Sequence, residues 1–121
     1  MSLLLTAVTF SISAHAIDIK AEITGKRLVM DGADCAGLYL KNDKLATMYS
    51  ESDCKSGLAL RVRWLNNNTF VLIEKNRPND ISPPRTYIYE VKSINGKKVT
   101  LNELWTGWND LKDDETKYHI K

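Results

Sequence analysis

The chain has 121 residues, 43% of them hydrophobic and 26% charged, with a formal net charge of +2. That length suits one domain rather than two, and the composition excludes a polytopic membrane protein, a disordered chain and a collagen-like chain. The small net charge gives no argument for nucleic acid as a partner.

The apolar residues are unevenly spread. Residues 1–16 hold ten of them and no Asp, Glu, Lys or Arg. The run from Leu3 to Ile12 is shorter than the ~20 residues that a membrane-spanning helix needs. It has the length of a secretory signal core, and Ala14-His15-Ala16 supplies the small-x-small cleavage site that belongs after one. Cleavage there leaves Ile17 at the mature N-terminus. No Lys or Arg precedes the run, so the signal is either atypical or begins upstream; a buried first element of the domain is the alternative. Cys35 lies too far on to be a lipidated residue. The expectation is therefore a leader at 1–16 and an exported domain at 17–121, periplasmic in preference to extracellular and without a membrane anchor.

Ile23-Thr24-Gly25-Lys26 leads into a first strand. Cys35 and Cys54 are the only cysteines, and in an oxidising compartment they read as one disulfide. Between them Leu38-Tyr39-Leu40 runs out, Asn42-Asp43 turns, and Leu45 to Tyr49 runs back, so the bond would clip the open end of a hairpin. Closing a loop of about 20 residues stabilises by roughly 3 kcal/mol in the chain-entropy model. A redox pair would want the C-x-x-C spacing, and a zinc site would want more ligands than these two and a distant His119.

The next stretch has period 2. Leu58, Leu60, Val62 and Trp64 alternate with Ala59, Arg61, Arg63 and Leu65, which describes a half-buried strand with its arginines toward water and Trp64 inward. Asn66-Asn67-Asn68 turns the chain. Residues 69–75 run back with apolar side chains on both faces, which implies partial cover outside. Residues 79–85 form a long loop with Pro83-Pro84 at its stiff part. Tyr87, Tyr89 and Val91 then share one face, as do Val99 and Leu101. A three-residue loop, Ile94-Asn95-Gly96, would pair Val91 with Val99 and Tyr89 with Leu101, with Gly96 in the left-handed conformation of a bulge. Residues 117–120 make a last strand. No convincing helical periodicity is present, and residues 110–116 suit no more than a turn. Strands at this spacing make an all-β antiparallel meander of about seven or eight strands, closing into a small barrel that leaves no exposed edge.

Over residues 22–120 this layout resembles the small exported β-barrels of the lipocalin-like, or calycin, type. Gly25 and Lys26 fit the start of that family's first-strand Gly-x-Trp pattern, and Arg27 stands at the Trp position. The resemblance implies a lipocalin-like barrel able to hold a small ligand, although the chain is short for the full form with its C-terminal helix. In size and disulfide it is also similar to periplasmic barrels that inhibit lysozyme through a Ser-Gly loop. Ser56-Gly57, just after Cys54, matches that dipeptide, and Leu58-Ala59-Leu60 does not continue the motif. As a bare dipeptide it is also ordinary turn chemistry.

No catalytic signature emerges. His119 is the only histidine after Ala16, two residues from the end of the chain. No Gly-rich phosphate loop is present, and no spacing selects one carboxylate pair, Asp31 with Asp34 included, for glycoside chemistry. Asp113-Asp114-Glu115 lacks the spaced ligands of a calcium loop and reads as a solvated turn. Asn67-Asn68-Thr69 matches a glycosylation acceptor at a hairpin tip.

The binding candidates are Trp105 and Trp108 around Gly107, Arg85 beside the Pro-Pro stretch, and Ser56 with Gly57. Exposed Trp and Arg anchor many interfaces, Trp rings stack on sugars, and the same tryptophans could instead plug the barrel. The strand alternation breaks at Trp105 and Trp108, so at least one ring should lie near a strand end. The expected function is that of a non-enzymatic exported binding protein with a protein partner, of inhibitor or immunity type. A glycan- or small-ligand-binding module is the alternative and a hydrolase ranks last. No cofactor or metal is implied. A ligand carrier should enclose about 300 Å³ or more, a protein binder should show an apolar patch outside, and an enzyme should show a cleft with carboxylates or His119.

Overall fold

The structure, a computed structural model, describes residues 17–121. The leader read at 1–16, with its Ala14-His15-Ala16 site, lies outside the described residues.

A one-turn helix, α1 (Ile19–Ile23), precedes eight strands: β1 (Arg27–Met30), β2 (Gly37–Leu40), β3 (Leu45–Ser50), β4 (Asp53–Trp64), β5 (Thr69–Glu74), β6 (Thr86–Asn95), β7 (Lys98–Leu104) and β8 (Asp114–Ile120). Each strand pairs antiparallel with the next, and β8 pairs with β1 through Val29 opposite His119, so the sheet closes into a barrel. Closure satisfies the backbone groups that an open meander would leave at its two edges.

The period-2 pattern fills the inside. Leu28, Leu38, Leu40, Leu60, Leu72 and Leu101 are at most 2% exposed and meet in one core. Phe70 sits between Trp64 and Tyr89, with ring centroids 5.0 and 5.5 Å away. Trp64 is inward, as its parity with Leu60 and Val62 requires. On the outer wall Val71 and Ile73 are half-buried, flanked in register by Arg63 and Arg61 on β4 and by Ile88 and Thr86 on β6. Arg27 also faces outward and lies over the Tyr49 ring, 4.3 Å from its centroid. The Cys35–Cys54 disulfide is formed across a Cα–Cα distance of 5.6 Å.

Four details differ from the sequence expectation. The first is α1, where no helix was expected. Asp18 caps it, accepting from the Ala21 N–H at 3.2 Å, and Ile23 is fully buried. One turn is too short to generate the 3.6-residue periodicity that marks longer helices. The second is the β6–β7 hairpin. Its loop is the two residues Gly96-Lys97, and Asn95 pairs with Lys98. Gly96 alone has positive φ, +60°, as a II′ turn requires at its first central position. The face-crossing that this register would cause is absorbed farther along, by a bulge between Val91 and Ser93. Val91 therefore opposes Leu101 and Tyr89 opposes Glu103.

The third difference lies at Ser56-Gly57. The chain reverses at Glu51-Ser52, and Ser56-Gly57 belong to an irregular stretch of β4, between the Ser50–Asp53 and Met48–Leu58 pairs. Gly57 has φ +63°, and a Cβ there would meet Thr47 Cγ2 at 2.6 Å and Met48 O at 2.8 Å, so only glycine fits. The fourth is the start of β8 at Asp114, inside the segment read as an acidic turn. The inward positions at that end of the strand are Asp114 and Thr116, so no apolar alternation announces it.

Candidate functional site at the open end of the barrel

An up-and-down barrel sorts its connections by parity. The β2–β3, β4–β5 and β6–β7 connections (41–44, 65–68 and 96–97) lie at one end, where α1 also enters and seats Ile23 in the core. The other four connections (31–36, 51–52, 75–85 and 105–113) lie at the opposite end. All the candidate residues are at that second end: Cys35 and Cys54, Ser56 and Gly57, Arg85, Trp105 and Trp108. Four separate stretches of sequence converge there because each is joined to an end of the same polarity.

The rim is built from local polar anchors. Glu51 accepts from the N–H groups of Asp34, Cys35 (2.7 Å) and Ala36, which pins the first loop beside the disulfide. Those backbone donors hold its carboxyl below the usual range. The Ser56 hydroxyl donates to Asp53 at 2.6 Å, and the N–H groups of Lys55 and Ser56 point at the same carboxylate. Arg85 donates from Nη2 (2.8 Å), Nε (3.2 Å) and its own N–H to Glu74, whose side chain is only 4% exposed. The Arg85 guanidinium holds Glu74 below the usual carboxylate range. Arg85 is thus the latch that closes the 75–85 loop, while its outer side stays open to solvent.

The 105–113 loop winds around one tryptophan and presents the other. Trp105 Nε1 donates to the carbonyls of Trp108 (3.1 Å) and Asn109 (2.9 Å), and its N–H donates to Asp113 at 2.8 Å. Gly107 lies flat on the Trp105 ring, where a Cβ would come within 2.5 Å. With Trp105 held, Trp108 stands 88% exposed; Leu111 on the same loop and Ile81 on the neighbouring one are 55% and 92% exposed. Thr106 Oγ1 reaches the Thr86 carbonyl and ties the loop to the start of β6.

Inside the mouth the wall turns polar. A cavity of about 200 Å³ opens between Tyr87, Tyr89, Glu103, Asp114, Thr116 and Tyr118, above Leu38 and Met48. Glu103 stands directly opposite Asp114 in the ladder, and both share the inward face of Tyr89. Burial, then the neighbouring Asp114, pushes the Glu103 carboxyl up. Burial likewise raises Tyr89, and takes Tyr118 up to about 12. The sequence did not single out Glu103 or Tyr118, and it placed Asp114 in a solvated turn. The signal was available for Glu103, since the alternation of Val99 and Leu101 continues onto it.

The remaining candidates lie elsewhere. His119 is on the outer wall, with Nδ1 3.1 Å from Asp31; Lys98 Nζ is 3.6 Å from the same carboxylate. The His119 hydrogen bond is the main reason that Asp31 titrates below its ordinary value. Asn67, the acceptor position of the Asn67-Asn68-Thr69 pattern, is in the β4–β5 connection at the α1 end, where the neighbouring Asn68 accepts from Thr69 Oγ1. The acidic triplet is divided among roles: Asp113 anchors Trp105, Asp114 faces the cavity and Glu115 faces out. Among the described residues no group of three His, Cys, Asp or Glu is placed to hold a metal ion. Comparison with family models, curated proteins and solved structures gives no match.

Proposed function

We propose that this protein is exported and binds another protein with the open end of its barrel, in the manner of an inhibitor or an immunity protein. The observation that carries the reading is Trp108, 88% exposed on a loop whose other tryptophan is spent on holding its shape. A large aromatic held out by a rigid scaffold loses little entropy on binding, and such residues dominate interfaces. Ile81 and Leu111 are further exposed apolar side chains on loops at the same end. The disulfide is compatible with export. The same end also carries hollows of small-ligand size, about 390 Å³ beside Trp105 and Leu111 and about 540 Å³ along the 75–85 loop, which support the small-ligand alternative.

The test is capture of partners from the periplasmic or secreted fraction with the parent and with Trp108→Ala. The variant should keep its stability within about 0.5 kcal/mol, as a surface change does. It should bind the captured protein about thirtyfold more weakly. A large fall in stability with binding intact in the folded fraction would make the tryptophan pair structural only. The exposed ring also suits stacking on a sugar; a glycan that binds the parent and not Trp108→Ala would turn the reading to that second class.

A further inference from the structure

We propose that the mouth of the barrel is a binding site for an alkylammonium group. The proposal rests on wall chemistry that the fold leaves unused, and it does not depend on a protein partner at Trp108. Tyr89 and Tyr118 are each only 4% exposed, and among the described residues neither hydroxyl is hydrogen-bonded to a side chain or backbone group; both oxygens open onto the cavity rather than being sealed from it. Both line the cavity, so water or a ligand entering it is their hydrogen-bond partner. Glu103 and Asp114, opposite each other on adjacent strands, face the same space and carry no ion pair among the described residues. The surrounding cations are occupied or apart. Arg85 is committed to Glu74, and Lys112, on the loop above, makes no salt bridge with either carboxylate.

Two carboxylates side by side repel each other and want a positive charge between them. Tyrosine faces attract cations through the ring quadrupole, and the hydroxyls accept from N–H donors. An anion would meet repulsion here. Among the described residues no group of three His, Cys, Asp or Glu side chains is placed here to hold a metal ion. Below the polar ring, Leu38 and Met48 form an apolar floor. An ammonium head with a short alkyl tail matches that order of surfaces, and about 200 Å³ holds such a fragment.

The ammonium can come from a free amine or from the side chain of a lysine. The intact protein is titrated with n-butylammonium chloride, with the peptide acetyl-Gly-Lys-Gly-amide, and with 1-butanol as the uncharged analogue, following the tyrosine ring resonances by NMR. For a ligand of about five heavy atoms a Kd on the order of 1 mM is expected. Glu103→Gln and Asp114→Asn should each weaken it about tenfold, the effect of losing a hydrogen bond to a charged group. Tyr118→Phe, which removes one hydroxyl and keeps the ring, should weaken it severalfold and serves if a carboxylate variant fails to fold. Tighter binding of the peptide assigns the ammonium to lysine, and tighter binding of butylammonium assigns it to a free amine. Binding of 1-butanol as tight as that of butylammonium, affinity unchanged in the folded variants, or no shift of Tyr89 or Tyr118 with either amine would overturn the proposal.

Discussion

The two ends of the barrel are made by the same strands and obey opposite rules. At the α1 end the connections are short and satisfy themselves. Asn42 Oδ1 accepts from the N–H groups of Lys44 and Leu45, both at 2.9 Å, and Asn66 does the same for Asn68. Ile23 then closes that end as a fully buried plug. At the other end two of the four connections, 75–85 and 105–113, are long, the rim is anchored by carboxylates, and the inner wall carries tyrosines and acids around a cavity. Among the described residues the buried polar atoms without a partner, Thr24 Oγ1, Arg27 Nη2 and Trp64 Nε1, all lie at the α1 end, whereas the tyrosines and acids of the mouth face an open cavity.

The largest effect should come from the base. Ile23→Ala removes a completely buried side chain and should cost about 2–5 kcal/mol, measured by urea unfolding. A cost below about 1 kcal/mol would mean that α1 rests on the barrel without closing it. At the mouth the matching experiment is Cys35→Ser. Loss of the disulfide should cost about 3 kcal/mol. It should also leave the first loop easier to proteolyse than the α1 end, which limited digestion with mass readout can compare.

A smaller change at the mouth is Gly107→Ala. The added methyl would press on the Trp105 ring, and overpacking of this kind costs about 1–3 kcal/mol. A red shift of tryptophan emission would report that Trp105 has left its position, and an unchanged spectrum with unchanged stability would show that the loop is not built on that contact.

The smallest effect, and the one that most sharpens the contrast, is the pH dependence of Glu103→Gln. Burial and Asp114 raise the pKa of Glu103 in the fold. The folded state therefore holds the proton more tightly than the unfolded chain does. The stability linked to that proton is fully present below the ordinary value of 4.5 and is lost as the pH rises through the higher folded value. Glutamine imitates the protonated acid at every pH. Melting curves of parent and variant should coincide at low pH, with the variant more stable as the pH rises. The same Tm difference at all pH values would remove the strained carboxylate from the account of the mouth.

Much of the wall was legible in the chain. Leu58, Leu60, Val62 and Trp64 declare their face, because a half-buried strand needs period 2 and little else. The hairpin between Cys35 and Cys54 and the bond itself follow from turn residues and cysteine spacing. The α1 turn was not legible, because one helical turn is shorter than its own signal. The true register of the β6–β7 hairpin was hidden as well. A bulge at Lys92 and a two-residue turn preserve the inward face as well as a three-residue turn would, and alternation alone does not choose between them.

By itself, then, the order of apolar and polar residues determined an antiparallel all-β chain clipped by one disulfide, since those are local patterns and near-neighbour contacts. Tertiary closure decided what the patterns mean for function. Pairing of β8 with β1 brought Tyr118 around to face Tyr89, and parity gathered the loops of Cys35, Arg85 and Trp108 at one rim. It also turned Glu103, and Asp114 from the triplet that reads in sequence as a solvated turn, toward a cavity at the mouth. Each of these is a relation between residues far apart in the chain, and only the closed barrel holds them at a distance where charge and desolvation act on one another.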